Sequence, residues 1–446
     1  MTDTFSISID EWLGPGGGSA VEQATNAGIS IHVGRISVTQ VEDLVSKTVR
    51  SNIRVSAEPI AKWFLANWWR LKCETEPVVN DLTHSWAMSH SLAAIGEGYV
   101  WPDLVFRGSD GNQIALECKR HLSADADNLA SIRFLNSFKA SISVSDFESS
   151  VRLFVESVIA RLAGVGIQHS ELHELWSELN AEWANPNYAS HRRLEALLGL
   201  EPDQNDTLIS SVMKWGKQFG SSALEEIAAE SNSNEIAAIL KESRALANDT
   251  KTFADIHDVE ELTAVVDNGS PSHTPWQQAQ VLAYRLRKKW DLGDDPISDE
   301  ALADRLSLSV FKLKETHSEA PLSFGVRGKQ NGKLGFRLNR TQDEGRRFDT
   351  ARLIGDFLGF DQDEKILPAT NAMTKRQKFQ RAFAAEFLCP SRMIRNRYSN
   401  LDQRTVAKAV EQIAADYMVS EQVVLHHMEN RKVLTQEAPA NPLLWA

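Results

Sequence analysis

Cysteine is scarce in this chain of 446 residues: Cys73, Cys118 and Cys389 are all there is. Being odd in number and far apart, they offer neither a disulfide framework nor a CxxC metal knuckle. The expectation is reduced, mostly buried thiols in a cytoplasmic protein. Long apolar runs are missing as well. No stretch approaches the ~20 apolar residues of a membrane helix, so no membrane partner is expected. The opening residues, MTDTFSISIDEW, lack a basic segment leading into an apolar one and do not read as a signal peptide. Basic excess is absent too. Lys and Arg number 48 against 60 Asp and Glu, a formal net charge of −12. That balance argues against a protein whose main task is gripping phosphate backbones, although it leaves room for a local basic patch. It favours solubility. The Walker A loop, GxGxxG, GxSxG and RNP-like aromatic runs are also absent.

What is present is the balance of an ordinary globular protein, 42% hydrophobic and 24% charged. A chain of this length predicts roughly two to four domains and can bury a large core without disulfides or metals. The reading is an α+β fold, predominantly helical. Residues 1–145 form an N-terminal α+β domain: a Gly-rich loop, a strand at 29–33, a Trp-rich amphipathic helix over 57–73, a helix over 84–96, then strands at 99–107, 112–120 and 131–144. Residues 146–266 form a helical middle region. The segment 267–275, rich in turn formers, is a linker. A C-terminal domain follows over 276–435, and 436–446 is a tail. Within that domain Asn331-Gly332 marks a hairpin turn, two helical stretches cover 346–360 and 376–394, and 410–434 has a helix-turn-helix rhythm. The second helix of that module carries Glu421 and Gln422 near its start and His426, His427, Asn430, Arg431 and Lys432 further on. It lacks donors where a recognition helix needs them, so packing is expected and contact with nucleic acid stays open.

The N-terminal domain carries one chemical pattern: Pro102-Asp103, then Glu117-Cys118-Lys119. It matches the PD-(D/E)xK signature of nucleases. Asp103 and Glu117 on neighbouring strands would hold Mg²⁺, and Lys119, on the same face, would steady the attacking water. The plain reading is a β-meander with Asp103 and Glu117 facing solvent. Residues 122–130 are too short and too weakly periodic for the usual crossover helix, and Lys and Arg are not concentrated nearby. The histidine pairs are weaker. His84 and His90 are off helical register, and His169 and His173 lack a third ligand.

The C-terminal third resembles the ImmA/IrrE family of bacterial and phage regulatory metallopeptidases. Leu338-Asn339 precedes Arg347-Phe348-Asp349-Thr350-Ala351, where the family has Arg-Phe-Thr-x-Ala and then His-Glu-x-Gly-His. Downstream, Phe383-Ala384-Ala385-Glu386-Phe387-Leu388-Cys389-Pro390 follows the family's Phe-Ala-Ala-Glu-Leu-Leu-Met-Pro almost unchanged, and Val419-Ser420 matches a late Val-Ser. The resemblance implies a zincin-related fold with framework residues Arg347, Phe348, Gly355, Phe383, Glu386 and Pro390. It also maps the zinc site onto Arg352, Leu353 and Asp356, with Gln377 or Phe379 near the third ligand. In HExxH two histidines bind zinc and the glutamate polarises water. Arginine repels a cation, leucine is no base, and glutamine is no carboxylate. Arg352 and Asp356, four apart, would form an ion pair across one helical turn. The expectation is therefore a degenerate domain without zinc or peptidase activity. It would serve as a protein-binding or sensing module in regulation, stress response or phage defence. No cofactor is expected, and Mg²⁺ only under the nuclease alternative. A second alternative keeps an active metallopeptidase with ligands recruited elsewhere.

Overall fold

The computed structural model describes residues 3–76, 84–108, 113–120, 131–256, 262, 275–314, 320–360, 362–398 and 403–430. Contacts divide the chain into two compact units, Met1–Asn205 and Asp206–Ala446. Both mix helix and strand, with helix in excess, so the fold is α+β. The helical stretch 146–266 is thereby shared between the units. Most of the linker expected at 267–275, and the whole tail at 436–446, lie outside the described residues.

In the first unit, β1 (Phe5–Trp12) runs antiparallel to β2 (Asn26–Val33) after a short capped helix, α1 (Ala20–Ala24). β2 also pairs with β3 (Ile36–Ser37) and β6 (Ile53–Ser56). Sequence expectation covers the strand at 29–33 and misses β1, although Phe5 and Ile7 alternate with exposed Ser6 and Ser8. A second sheet joins β5 (Thr48–Arg50), β4 (Val41–Asp43) and β9 (Ile132–Phe134). The third, in the order β10-β8-β7, consists of β7 (Asp103–Gly108), β8 (Gln113–Lys119) and β10 (Phe138–Ser143). Residues 109–112 and 121–130 lie outside the described residues.

The helix expected over 57–73 is two helices, α2 (Ala57–Ala66) and α3 (Trp68–Cys73). Asn67 separates them, its backbone N–H and its Nδ2 both donating to the Trp63 carbonyl. Over 84–96, α4 (His84–His90) gives way to a 3₁₀ turn at Leu92–Ala94. The long α5 (Val144–Gly164) packs on β1, and α6 (Glu171–Ala184) and α7 (Pro186–Leu197) complete the unit. Phe5, Phe64, Phe106 and Phe147 meet at ring separations of 5.9–6.0 Å. Trp63 and Trp68 are core anchors, whereas half-buried Trp69 donates its indole N–H to Glu182 at 2.6 Å.

The second unit opens with α8 (Asp206–Phe219), α9 (Ser221–Ala228) and α10 (Ile236–Asn248). Its sheet, in the order β11-β13-β12-β14, comprises β11 (Ala254–Asp255), β12 (Ser323–Arg327), β13 (Lys333–Arg337) and β14 (Ile366–Ala369). Gly332, at φ +82°, turns the β12–β13 hairpin at the expected place. α11 (Pro275–Lys289), α12 (Asp299–Arg305) and α13 (Val310–Lys314) precede that hairpin. After it, α14 (Asp343–Gly359) and α15 (Lys375–Leu388) cross in the interior, with β14 between them in sequence. A Cβ at Gly355 would lie 2.6 Å from the Phe383 ring. Only glycine lets the two helices approach this closely.

The described residues close with α16 (Ser391–Tyr398), α17 (Gln403–Tyr417) and α18 (Glu421–Asn430). Val424 and Met428 of α18 enter the core, and His427 is buried while His426 is exposed. Arg431 and Lys432 lie outside the described residues. Among the described residues no helix is long and apolar enough to cross a membrane.

Candidate functional site

α14 is buried along nearly its whole circumference from Arg347 to Gly359, polar residues included. Buried polar groups cost free energy unless they find partners. Here the partners come from α15, α12, β12 and the end of β14, and from Ile297 and Arg340.

Arg352 is 2% exposed. Its guanidinium donates to Asp349 Oδ1 at 3.1 Å, to the Thr370 carbonyl at 2.5 Å and to Gln377 Oε1 at 2.6 Å. Gln377 Oε1 also accepts the Thr370 N–H at 2.9 Å, and its Nε2 donates to the Pro368 carbonyl at 3.0 Å. Asp349 accepts further bonds from Ser323 Oγ at 2.7 Å and Arg340 Nε at 3.2 Å. Asp356, fully buried, takes Arg376 in bidentate fashion, at 2.8 Å from Nε and 2.7 Å from Nη2. Arg376 Nη1 reaches Glu364 at 2.6 Å and Ser222 at 3.0 Å.

The expected Arg352–Asp356 ion pair does not form. The two side chains find different partners: Arg352 pairs with Asp349, three residues back, and Asp356 meets Arg376 of the facing helix. Burial works against the Arg376 charge, but Asp356 and Glu364 more than offset it and hold the guanidinium above its ordinary value. For Arg352 burial outweighs Asp349, and the shift is downward. Beside this network Glu226 of α9 accepts a bond from Thr374 Oγ1 at 2.6 Å. Burial raises its carboxyl above the usual 4.5, against the pull of Thr374 and Arg376.

The remaining motif positions are structural. Leu353 is fully buried in the apolar core. Phe379 lies edge-on to Phe360 at 5.1 Å. Arg347 donates to the Ile297 carbonyl at 2.6 Å and to Asp299. Phe348 packs against the core from a half-buried position, and Glu386 accepts the Ser391 N–H at 3.3 Å just beyond Pro390. Cys389 is buried; burial, helped by Glu386, pushes its thiol up to about 12.

On the first unit, Asp103 stands directly opposite Lys119, and Glu117 stands opposite Val105. All three project from one face of the sheet, because residues two apart share a face. The opposite face buries Leu104, Phe106, Leu116 and Cys118. Glu117 is already engaged, by Arg107 at 3.0 Å and Lys139 at 3.4 Å. Partial burial alone would raise its carboxyl, but Arg107, Lys139 and Lys119 bring it below the ordinary value. The Cys118 thiol, behind this face, is pushed up to about 12 by burial and by Asp103.

Among the described residues, one group with metal-ligating spacing includes a histidine, and it involves none of the histidines singled out in the sequence. His90 is buried and stacked on Trp86 at 4.2 Å, with burial lowering it to about 4. His173 Nδ1 lies 2.9 Å from Ser170 Oγ, while His169 is exposed. His191, Glu195 and Asp203 come close enough to bracket a cation, but Arg192 binds Glu195 at 2.8 Å and Asp203 at 2.9 Å and supplies that cation itself.

Comparison with protein-family models, with curated proteins and with solved structures finds no match to this chain. The site therefore rests on its own geometry. Sequence reasoning missed Arg376, Glu364 and Glu226, which no local motif connects. The Asp349–Arg352 pair was open to view at helical spacing of three.

Arg376→Met leaves Asp356 and Glu364 buried without their cation. Breaking such a pair costs about 3–5 kcal/mol, and the expected drop in thermal unfolding temperature is readable by calorimetry at neutral pH. Glu226 gives a pH-dependent counterpart. With its folded pKa raised, its contribution is fully present below the ordinary value near 4.5 and is lost as pH rises through the folded value. Glu226→Gln keeps an acceptor for Thr374 and removes this titration. Denaturant titrations across that window are expected to show a flatter pH profile than wild type, with equal or higher stability at pH 7.

Proposed function

We propose that the second unit is a degenerate, zincin-related module of the ImmA/IrrE type that binds or senses a protein partner and does not hydrolyse peptides. Its setting would be bacterial regulation, stress response or phage defence. One observation carries this reading: the positions that the resemblance maps to the zinc ligands are bonded to one another or to arginine. Arg352 donates to Gln377, and Asp356 is clamped by Arg376. A peptidase needs an open metal position and a carboxylate free to take a proton from water. Here Asp356 has both oxygens engaged, and Leu353 stands where the base would be. Retention of Arg347, Gly355, Phe383 and Glu386 in packed roles fits a scaffold kept for its surface.

A second reading has one observation in its favour: Asp103, Glu117 and Lys119 share a sheet face, as a Mg²⁺-dependent PD-(D/E)xK nuclease requires. Against it stand the cations that already neutralise Glu117.

Elemental mass spectrometry of the purified, tag-free protein is expected to find zinc well below one per chain. About one tightly held zinc per chain would overturn the pseudo-peptidase reading and reopen the metallopeptidase with other ligands. For the second reading, DNA digestion with Mn²⁺ is expected to show no difference between wild type and Glu117→Ala. Cleavage that disappears in the variant would establish the nuclease instead.

A further inference from the structure

A small cleft, partly open to solvent, lies between the first two turns of α14 and the helices α12 and α13. Leu302 of α12 and Leu313 of α13 form its apolar side. Arg347 and Thr350 of α14, 6% and 2% exposed, are its buried polar residues. Asp299, Asp343 and Arg346 line it from more exposed positions.

Arg347 points to a ligand. Its Nη1 donates to Asp299 and its Nη2 to the Ile297 carbonyl at 2.6 Å. Its Nε is buried and, among the described residues, has no hydrogen-bond partner. Arg376 shows a buried guanidinium fully satisfied, with Nε, Nη1 and Nη2 all bonded at 2.6–3.0 Å. Buried donors are ordinarily bonded, and one left unpaired is costly. An acceptor oxygen seated in the cleft would satisfy it.

The charges around the cleft decide which acceptor. Two carboxylates and two guanidinium groups line it, and they cancel in pairs, Arg347 with Asp299 and Arg346 with Asp343. An anion would meet the carboxylates and a cation the guanidinium groups, and like charges brought together are unfavourable. A neutral amide carbonyl meets neither penalty. Leu302 and Leu313 favour an aliphatic group beside it.

We propose that this cleft binds a neutral peptide segment of a partner protein, with a backbone carbonyl accepting from Arg347 Nε and an adjacent aliphatic side chain lying on Leu302 and Leu313. None of the positions mapped to the zinc ligands lines it. The proposal rests on the protein-binding reading only for the nature of the partner. Its failure would leave the pseudo-peptidase reading to be decided separately by zinc content.

The test is a titration of the ¹⁵N-labelled full-length protein with N-acetyl-leucinamide, read at the arginine Nε–H signals by NMR. Arg347→Lys, which keeps the charge and deletes this signal, assigns it. A saturable shift of the Arg347 signal is the expected result. The anion N-acetyl-leucine and the cation leucinamide, at constant ionic strength, are expected to bind about tenfold more weakly or less, and Leu313→Ala to weaken the neutral probe about tenfold, or ~1.4 kcal/mol. If Arg347→Lys does not fold, Leu313→Ala decides, read from whichever arginine Nε–H signal the probe moves. No saturable shift, an ionic probe binding as tightly as the neutral one, or an affinity unchanged in Leu313→Ala overturns the site.

Discussion

The pairing of Arg376 with Asp356 and Glu364 is the constraint on which the second unit's interior depends. Two carboxylates from different segments, one on α14 and one just before β14, converge on a single guanidinium from α15. Each of the three would be costly alone at this depth of burial. Together they fix the separation and rotation of the two helices, and they reach Ser222 on α9 as well. The apolar contacts of Gly355 with Phe383, and of Gly359 with Phe379, then have a defined register in which to close. Packing supplies most of the stabilisation, while the charged junction selects which packing is allowed.

Gln377, the next residue of α15, plays a corresponding part. Its amide accepts from Arg352 and from the Thr370 N–H and donates to the Pro368 carbonyl, so it stitches the end of β14 to both helices. A carboxylate at this position could accept from Arg352 but could not donate to Pro368. The amide is therefore matched to its surroundings, and the residues around Arg352 and Asp356 form a coherent polar core with its own hydrogen-bond logic.

Much of this architecture was legible from sequence. The hairpin at Asn331-Gly332, the strands carrying Asp103 and Glu117, and the two helices bearing the family-like motifs follow from periodicity and turn chemistry, which are local. β1 was legible but overlooked, since FSISI alternates over a short run. The break at Asn67 was harder to foresee, because the apolar face continues from Trp63 to Trp68 across it. The partners of Asp356 and Arg352 were not legible. Residues four apart on a helix invite an ion pair, but a buried helix is surrounded by other elements, and Arg376 lies twenty residues away. Only tertiary structure decides between such partners.

The guanidinium of Arg352 has a consequence for how the unit depends on its environment. A zinc ion at the heart of a fold is a separate chemical species, subject to supply, competition and chelation. The cation at position 352 is part of the polypeptide and arrives with translation. Asp349, Thr370 and Gln377 gather around it as ligands gather around a metal, yet this centre cannot be stripped or exchanged. No metal supply enters the bonds that Asp349, Thr370 and Gln377 make with it.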